Sequence, residues 1–411
     1  MERGRDARAP CAGRRDALVH DSNLEIVMQD GNHQSFDCGD RKTNLVMSLV
    51  VLGMSLGLVA VVIPGYLEAE RDEVIRKGPG VTSVLRLSHW FPGIGGTKGD
   101  TDVYVLDSGK PGASALVLGG THGNEPAGYL AAILVVENAV PASGRLFVVP
   151  HANRSSMTHT DYQEASPRLL EFQGASGRRW FRYGSRATNP TDQWPDPDIY
   201  VHASSGQQLS GAETRNLNRA YPGRPDGTFT EKVAYAIASL IRSEKLDLVI
   251  DLHEASPEYP VINAVVAHER AMAVASVAVL NLEFEEIRIG LEPSPRNLRG
   301  LSHRELGDAT EALAMLCETS NASQGRLRGA TSARLVVDGT DDKYLRAARL
   351  GRLAVPFDEK GWPMKQRVGR HVSTVMAVFS AFTSMNPAKP IALTGLPSHA
   401  DLMAKGLEPY L

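Results

Sequence analysis

Between residues 100 and 385, apolar runs of strand length alternate with segments whose apolar positions recur at the helical period. Val103 to Leu106, Ala115 to Leu118, Leu146 to Val149 and Leu246 to Leu252 predict strands. Val261 to Val266, Ile287 to Ile289 and Ala312 to Cys317 extend the set. Pro126 to Val136 predicts a helix, with proline in the first turn, where its missing N–H costs nothing. Thr230 to Ile241 predicts another, capped by Thr230, and Lys343 to Leu350 and His371 to Ser384 predict closing helices. Such alternation specifies an α/β domain with helices on both faces of its sheet. One stretch breaks the pattern. Residues 154–215 are polar, aromatic and rich in Gly and Pro, and read as a long loop forming a wall of a site.

Ahead of this body, Leu45 to Ile63 runs for 19 residues without a charge and ends at Pro64-Gly65. At ~1.5 Å per residue that run matches the hydrocarbon thickness of a bilayer. The reading is a transmembrane signal anchor over 44–66, set between a disordered tail at 1–43 and a linker at 67–84. A buried core helix is the alternative; the charged flanks and the place near the start weigh against it. Seven basic residues precede the span, against Arg71, Arg76 and Lys77 just after it. That asymmetry favours a catalytic body outside the cytoplasm; counting only the nearest residues, Arg41 and Lys42 against those three, it vanishes, and a cytoplasm-facing body is the alternative. The body is expected over 85–385, with 386–411 as a C-terminal tail.

With 44 basic and 47 acidic residues the net charge is -3, and no long basic run occurs. A general nucleic-acid binder is excluded on that balance. Cys11, Cys38 and Cys317 lie far apart and form no CxxC pair, which excludes a disulfide scaffold and a cysteine zinc finger. Any metal must therefore be held by His and carboxylate.

Gly119-Gly120-Thr121-His122-Gly123-Asn124-Glu125-Pro126 lies between a predicted strand and a predicted helix. The three-residue spacing of His122 and Glu125 lets one turn bring an imidazole and a carboxylate to one point, two good ligands for Zn²⁺. Glycine-rich strand-to-helix turns lie at the carboxyl edge of an α/β sheet, where sites form. A second apolar strand ends in Asp251-Leu252-His253-Glu254 and offers His253 as the third ligand. A hydrogen-bonded strand-end histidine is the plainer alternative for His253. In Asn216-Leu217-Asn218-Arg219, Asn218 and Arg219 set an amide beside a guanidinium, a clamp for a substrate carboxylate. Glu318 closes the strand Ala312 to Cys317. A carboxylate there can take a proton from a metal-bound water and pass it to a leaving amine.

GGTHGNEPAG, NLNRAYPG, DLHEA and the strand-end CET resemble the succinylglutamate desuccinylase/aspartoacylase family, within the zinc carboxypeptidase-like superfamily. The resemblance covers roughly residues 85–385. It implies a mixed, mainly parallel α/β sheet and one Zn²⁺ on His122, Glu125 and His253. It further implies carboxylate binding by Asn218 and Arg219, with Glu318 as base and then acid. The substrate implied is a small molecule or short peptide bearing a carboxylate, and the reaction is cleavage of an N-acyl amino acid. Three departures follow. Asn216 stands where the family has Asp. The arginine that polarises the carbonyl has no clear match, and Arg215 is the candidate. No strand-rich region follows Glu318. Two alternatives stay open: a carboxypeptidase on cell-wall peptides outside the cytoplasm, and a catalytically silent ligand-binding module.

Overall fold

A computed structural model describes residues 41–160, 167–174 and 177–411. The tail expected over 1–43 lies almost wholly outside the described residues. The described residues fall into two units that divide between Ile63 and Pro64. Helix α1 (Arg41–Glu70) contains the stretch Thr43–Pro64, which is apolar and long enough to cross a membrane by length and composition. Its Leu, Val and Met side chains between 45 and 63 are exposed.

The second unit is built on an eight-stranded sheet. In chain order its strands are β1 (Ser83–Arg86), β2 (Asp102–Asp107), β3 (Ser114–Leu118) and β4 (Arg145–Val149). They continue as β5 (Leu248–Ala255), β6 (Ala264–Ala267), β7 (Gly290–Pro293) and β8 (Leu313–Ser320). Across the sheet the order is β1-β2-β4-β3-β5-β8-β6-β7. The central run β4-β3-β5-β8 is parallel, β7 is parallel to β6, and the other pairs are antiparallel. The sheet is thus mixed and mainly parallel.

Alternation along the strands sorts side chains to two cores. Val117, Val148, Ile250 and Leu252 pack under α2 (Pro126–Asn138) and alongside the buried residues of α4 (Met272–Phe284). The same core takes in Val372, Val375 and Phe379 of α6 (Met364–Met385). Leu116, Leu118, Phe147 and Val249 face the other way, onto Val233, Ile237, Leu240 and Ile241 of α3 (Phe229–Glu244). Leu306 of α5 (Ser302–Ala309) joins this second core. Helix α2 is buried from Pro126 to Val136, which explains why it is apolar all round.

Several expectations need correction. Helix α3 is capped by Thr228, not Thr230. Thr228 Oγ1 accepts from the Glu231 N–H, and Glu231 reaches back to the Thr228 N–H at 2.8 Å, a capping box. Thr230 is buried and donates through both N and Oγ1 to Gln193 Oε1. Ile287 and Ile289 are core residues rather than a strand, and pairing starts at Gly290. Strand β5 continues through His253 and Glu254 to Ala255. Within the described part of 154–215, Leu169–Gly174 pairs with Gly177–Arg182 and Ile199–Val201 with Gln208–Ser210. The segment expected as a linker belongs to the second unit: β1 begins at Ser83, and Ile75 and Val81 pack on the core. Residues 386–411 are likewise no free tail. Ala392–Thr394 pairs with Val140–Ser143, α7 (His399–Lys405) packs on α6, and Leu411 is buried.

Candidate active site

Strand β3 ends at Leu118, and residues 119–125 turn the chain into α2. Gly120 takes φ 63°, and a Cβ there would lie 2.7 Å from the Pro150 carbonyl oxygen. A Cβ on Gly128 would overlap the Leu252 carbonyl oxygen, so glycine is what lets α2 lie close on β5. This turn brings His122 and Glu125 beside the end of β5, which carries His253.

Each histidine is oriented from behind. Asp251 accepts from Thr121 Oγ1 at 2.9 Å and from His253 Nε2 at 2.8 Å. A carboxylate only accepts, so His253 Nε2 carries a proton toward Asp251, and Nδ1 points forward. His122 Nε2 lies 2.9 Å from Asn216 Oδ1. The amide is held in that sense because its Nδ2 donates to Glu213 Oε2 at 2.7 Å, while Oδ1 also accepts from the Asn218 N–H. Both Nδ1 atoms then converge on one carboxylate: His122 Nδ1 is 2.7 Å from Glu125 Oε1, and His253 Nδ1 is 2.9 Å from Glu125 Oε2.

Lone pairs aimed at a carboxylate repel it unless a proton or cation lies between them. Donor atoms about 2.1 Å from a tetrahedral ion stand ~3.3 Å apart; the three buried donors here lie within 4.8 Å of one another. Two imidazoles and a carboxylate suit Zn²⁺, so the residues fit the ion implied by the motifs. The two rings differ electrostatically. Burial, aided by Arg186, pushes His122 down to about 4 and keeps it neutral. For His253 burial also acts downward, but Asp251 and Glu125 outweigh it and raise its pKa well above the usual range.

Strands β5 and β8 are parallel with His253 level with Glu318, so both side chains rise from one face. Glu318 Oε2 is buried with no hydrogen-bond partner among the described residues. Burial pushes this carboxyl up to about 8, His253 opposes the shift and Glu125 adds to it. Asn218 Oδ1 accepts from the Ser302 N–H at 2.8 Å, leaving Nδ2 to donate into the cleft that Asn218 lines. Arg219 lies beside it, its Nη1 donating to the Asn218 carbonyl oxygen at 2.7 Å. These residues share one cleft of about 810 Å³.

Arg215 is not brought to this cleft. Its Nε and Nη2 grip Asp196 at 2.7 and 2.9 Å, and its Nη1 donates to the Thr188 carbonyl. Paired so, it cannot turn inward without leaving Asp196 uncompensated. Arg186 occupies the rim instead, with Nη1 3.2 Å from Glu125 Oε1 and 3.3 Å from His122 Nδ1. No periodic pattern marks residues 184–186. They are tied to the ligand turn by backbone bonds from Gly123 N to Ser185 O and from Gly184 N to Gly123 O.

Glu213 also escaped the sequence reading. Asn216 supplies no charge to His122, and Glu213 supplies it one residue further out. Glu213→Ala frees the Asn216 amide to turn its NH₂ toward His122, which favours the wrong tautomer. We expect metal affinity to fall about tenfold, measured by competition against a chromogenic chelator. Unchanged affinity would mean that Glu213 has no part in orienting the ligand.

No family model matches the sequence, and no curated protein matches it. Solved structures similar to the chain include a succinylglutamate desuccinylase from a Silicibacter species, at 19% identity and TM-score 0.32 over 53% of each chain. An aspartoacylase family protein from Mesorhizobium loti matches at 20% identity and TM-score 0.33, over 54% of this chain and 56% of that one. A metallo-carboxypeptidase from Burkholderia cenocepacia matches at 11% identity and TM-score 0.42, over 76% of this chain and 67% of that one. The chain thus spans about half the length of the first two.

Proposed function

We propose that this protein is a zinc-dependent hydrolase that cleaves the amide bond of an N-acyl amino acid, releasing an acyl acid and an amino acid. The observation that carries this reading is the convergence of two oriented Nδ1 atoms on Glu125, with the unpartnered Glu318 carboxylate level with His253. His122, Glu125 and His253 would hold the ion, which supplies a Lewis acid for the carbonyl and lowers the pKa of water.

The chain's own residues supply the remaining steps. Asn218 and Arg219 bind the substrate carboxylate through charge-assisted hydrogen bonds and set the scissile carbonyl before Glu318. Glu318 takes a proton from the attacking water as its oxygen bonds to the carbonyl carbon. Arg186 is placed at the rim to donate to the carbonyl oxygen as negative charge develops there. The C–N bond then breaks, and Glu318 returns the proton to the leaving nitrogen. The apolar helix supports attachment of the protein to a membrane, and the basic flank ahead of it supports a catalytic body outside the cytoplasm.

A second reading is a carboxypeptidase that removes the last residue of a short peptide. A cleft of about 810 Å³ is roomier than one acyl amino acid requires, and the chain after β8 is mainly helical, its one described strand, Ala392–Thr394, pairing with Val140–Ser143. The test is turnover of N-acetyl-aspartate, N-succinyl-glutamate and short muropeptides, with and without chelator. Chelator-sensitive release of an acyl acid is the expected outcome. Loss of a C-terminal residue from the muropeptides would select the second reading. Activity that survives complete metal removal would sink both.

A further inference from the structure

Away from the ligand cluster, the cleft has a floor whose composition changes in register. The row level with His253 runs across the strands as His253, Glu318, Ala264 and Gly290. Its last two members carry almost no side chain, so the floor falls away beyond Glu318. One step down the sheet, the row is Asp251, Leu316, Val266 and Glu292. Strand pairing puts all of these on the face that carries His253 and Glu318. Leu316, Val266 and Glu292 all line the cleft. Pro295, Leu298 and Leu301 line it as well. The result is an apolar slot that starts beside Glu318 and ends at a carboxylate.

The charges around that carboxylate are informative. Glu292 is exposed at the mouth of the slot and makes no ion pair or hydrogen bond through its side chain among the described residues. The nearby arginines are already committed: Arg296 to Glu269 at 2.6 Å, Arg299 to Glu305 at 2.7 Å, and Arg304 to Glu269 and Asp308. His303 lines the same cleft, is held near 3 by burial, and carries no charge; its Nδ1 is engaged with Ser294 Oγ. The slot therefore offers hydrocarbon along its length and one unneutralised negative charge at its end. Two strand spacings separate Glu292 from the strand of Glu318, ~10 Å across the sheet. An aminoalkyl chain of four carbons, aided by the reach of the Glu292 side chain, covers that span. An aspartate or glutamate side chain would instead bring a second carboxylate to Glu292.

We propose that the slot selects a cationic, lysine-type side chain on the residue whose carboxylate is held by Asn218 and Arg219, with Glu292 as the specificity-determining group. The inference rests on the amide-hydrolase reading. It is common to both forms of that reading, because each cleaves the amide on the nitrogen of the carboxylate-bearing residue. Lysine-type selection makes the long side chain, rather than the acyl group, the part of the substrate that is recognised.

The experiment uses the full chain in detergent, loaded with zinc. Nα-acetyl-lysine, Nα-acetyl-norleucine and Nα-acetyl-aspartate are compared as substrates, beside dipeptides ending in lysine or norleucine. Binding of free lysine and free norleucine is measured in parallel by calorimetry. We expect kcat/KM for the lysine compound to exceed that for norleucine by about tenfold, with free lysine bound tighter by a similar factor. Aspartate should be the poorest. In Glu292→Gln the lysine-to-norleucine ratio should fall to near one, and in Glu292→Lys the aspartate compound should gain on the lysine compound. Cleavage of the dipeptides but not the acetyl compounds would overturn the deacylase reading and leave the slot supported, provided the lysine preference persists. Equal handling of lysine and norleucine, a preference that survives Glu292→Gln, or no binding of either free amino acid would each overturn the proposal.

Discussion

Replacement of Glu318 by Ala is expected to lower kcat by ~10²- to 10⁴-fold while the metal content stays unchanged. The side chain sits at the end of β8, level with His253, and its Oε2 has no hydrogen-bond partner among the described residues. It holds up nothing in the fold that the structure reveals, so its removal should not unfold the protein. What it does have is a position beside the ligand cluster, and burial has pushed it up to about 8, near the pKa that suits proton transfer at neutral pH. The informative measurement pairs kcat with metal content and thermal midpoint in the same preparation. A fall in kcat with metal and midpoint retained assigns the proton transfer to Glu318. Retained activity would remove it from the chemistry, and loss of metal would make it part of the metal site instead.

The second large effect lies on the opposite face of the neighbouring strand, β5. Glu254 follows His253, so its side chain leaves the opposite face of the strand and runs under α2. Its Oε2 accepts from the Ala127 N–H at 2.8 Å, satisfying a first-turn donor of the ligand helix, and its Oε1 meets Arg367 Nη1 at 2.5 Å. Both side chains are fully buried. Arg367→Met would leave an uncompensated carboxylate in the core, with an expected loss of ~3–5 kcal/mol of stability. The double variant Glu254→Met/Arg367→Met should recover much of that loss, since two apolar side chains need no partner. Denaturant midpoints of the two proteins decide the matter. A single variant within ~1 kcal/mol of the parent would show that water or a nearby group compensates Glu254.

The parts of the molecule legible in the sequence are those with a local cause. The ligand turn announced itself because glycine, histidine, glutamate and proline each answer a constraint within ten residues. The strand ending in His253 was legible because its apolar run is continuous. Glu292 and Arg186 were not legible, because what gives them meaning is a pairing register or a backbone tie to a distant turn. Glu254 was hidden by its neighbour: in DLHEA the histidine drew attention as a ligand, while strand alternation sends the glutamate to the other side. Thr228 was overlooked because Thr230 also fits the capping preference, and only the Glu231 partner distinguishes them. Arg215 illustrates the converse, a residue of the right type near the right motif whose charge is taken by Asp196.

The ligand set is drawn from two stretches of chain far apart in sequence, and Asp251 joins them by taking hydrogen bonds from both Thr121 and His253. An unfolded chain cannot hold these donors together without first closing a very long loop, so an ion held by them would bind the native state far more tightly than the unfolded chain. Each gain in free metal concentration therefore deepens the native well by mass action. On the zinc-hydrolase reading, the ion would then also be a folding ligand, and the amount of active protein would be tied to its supply as well as to the rate of each turnover.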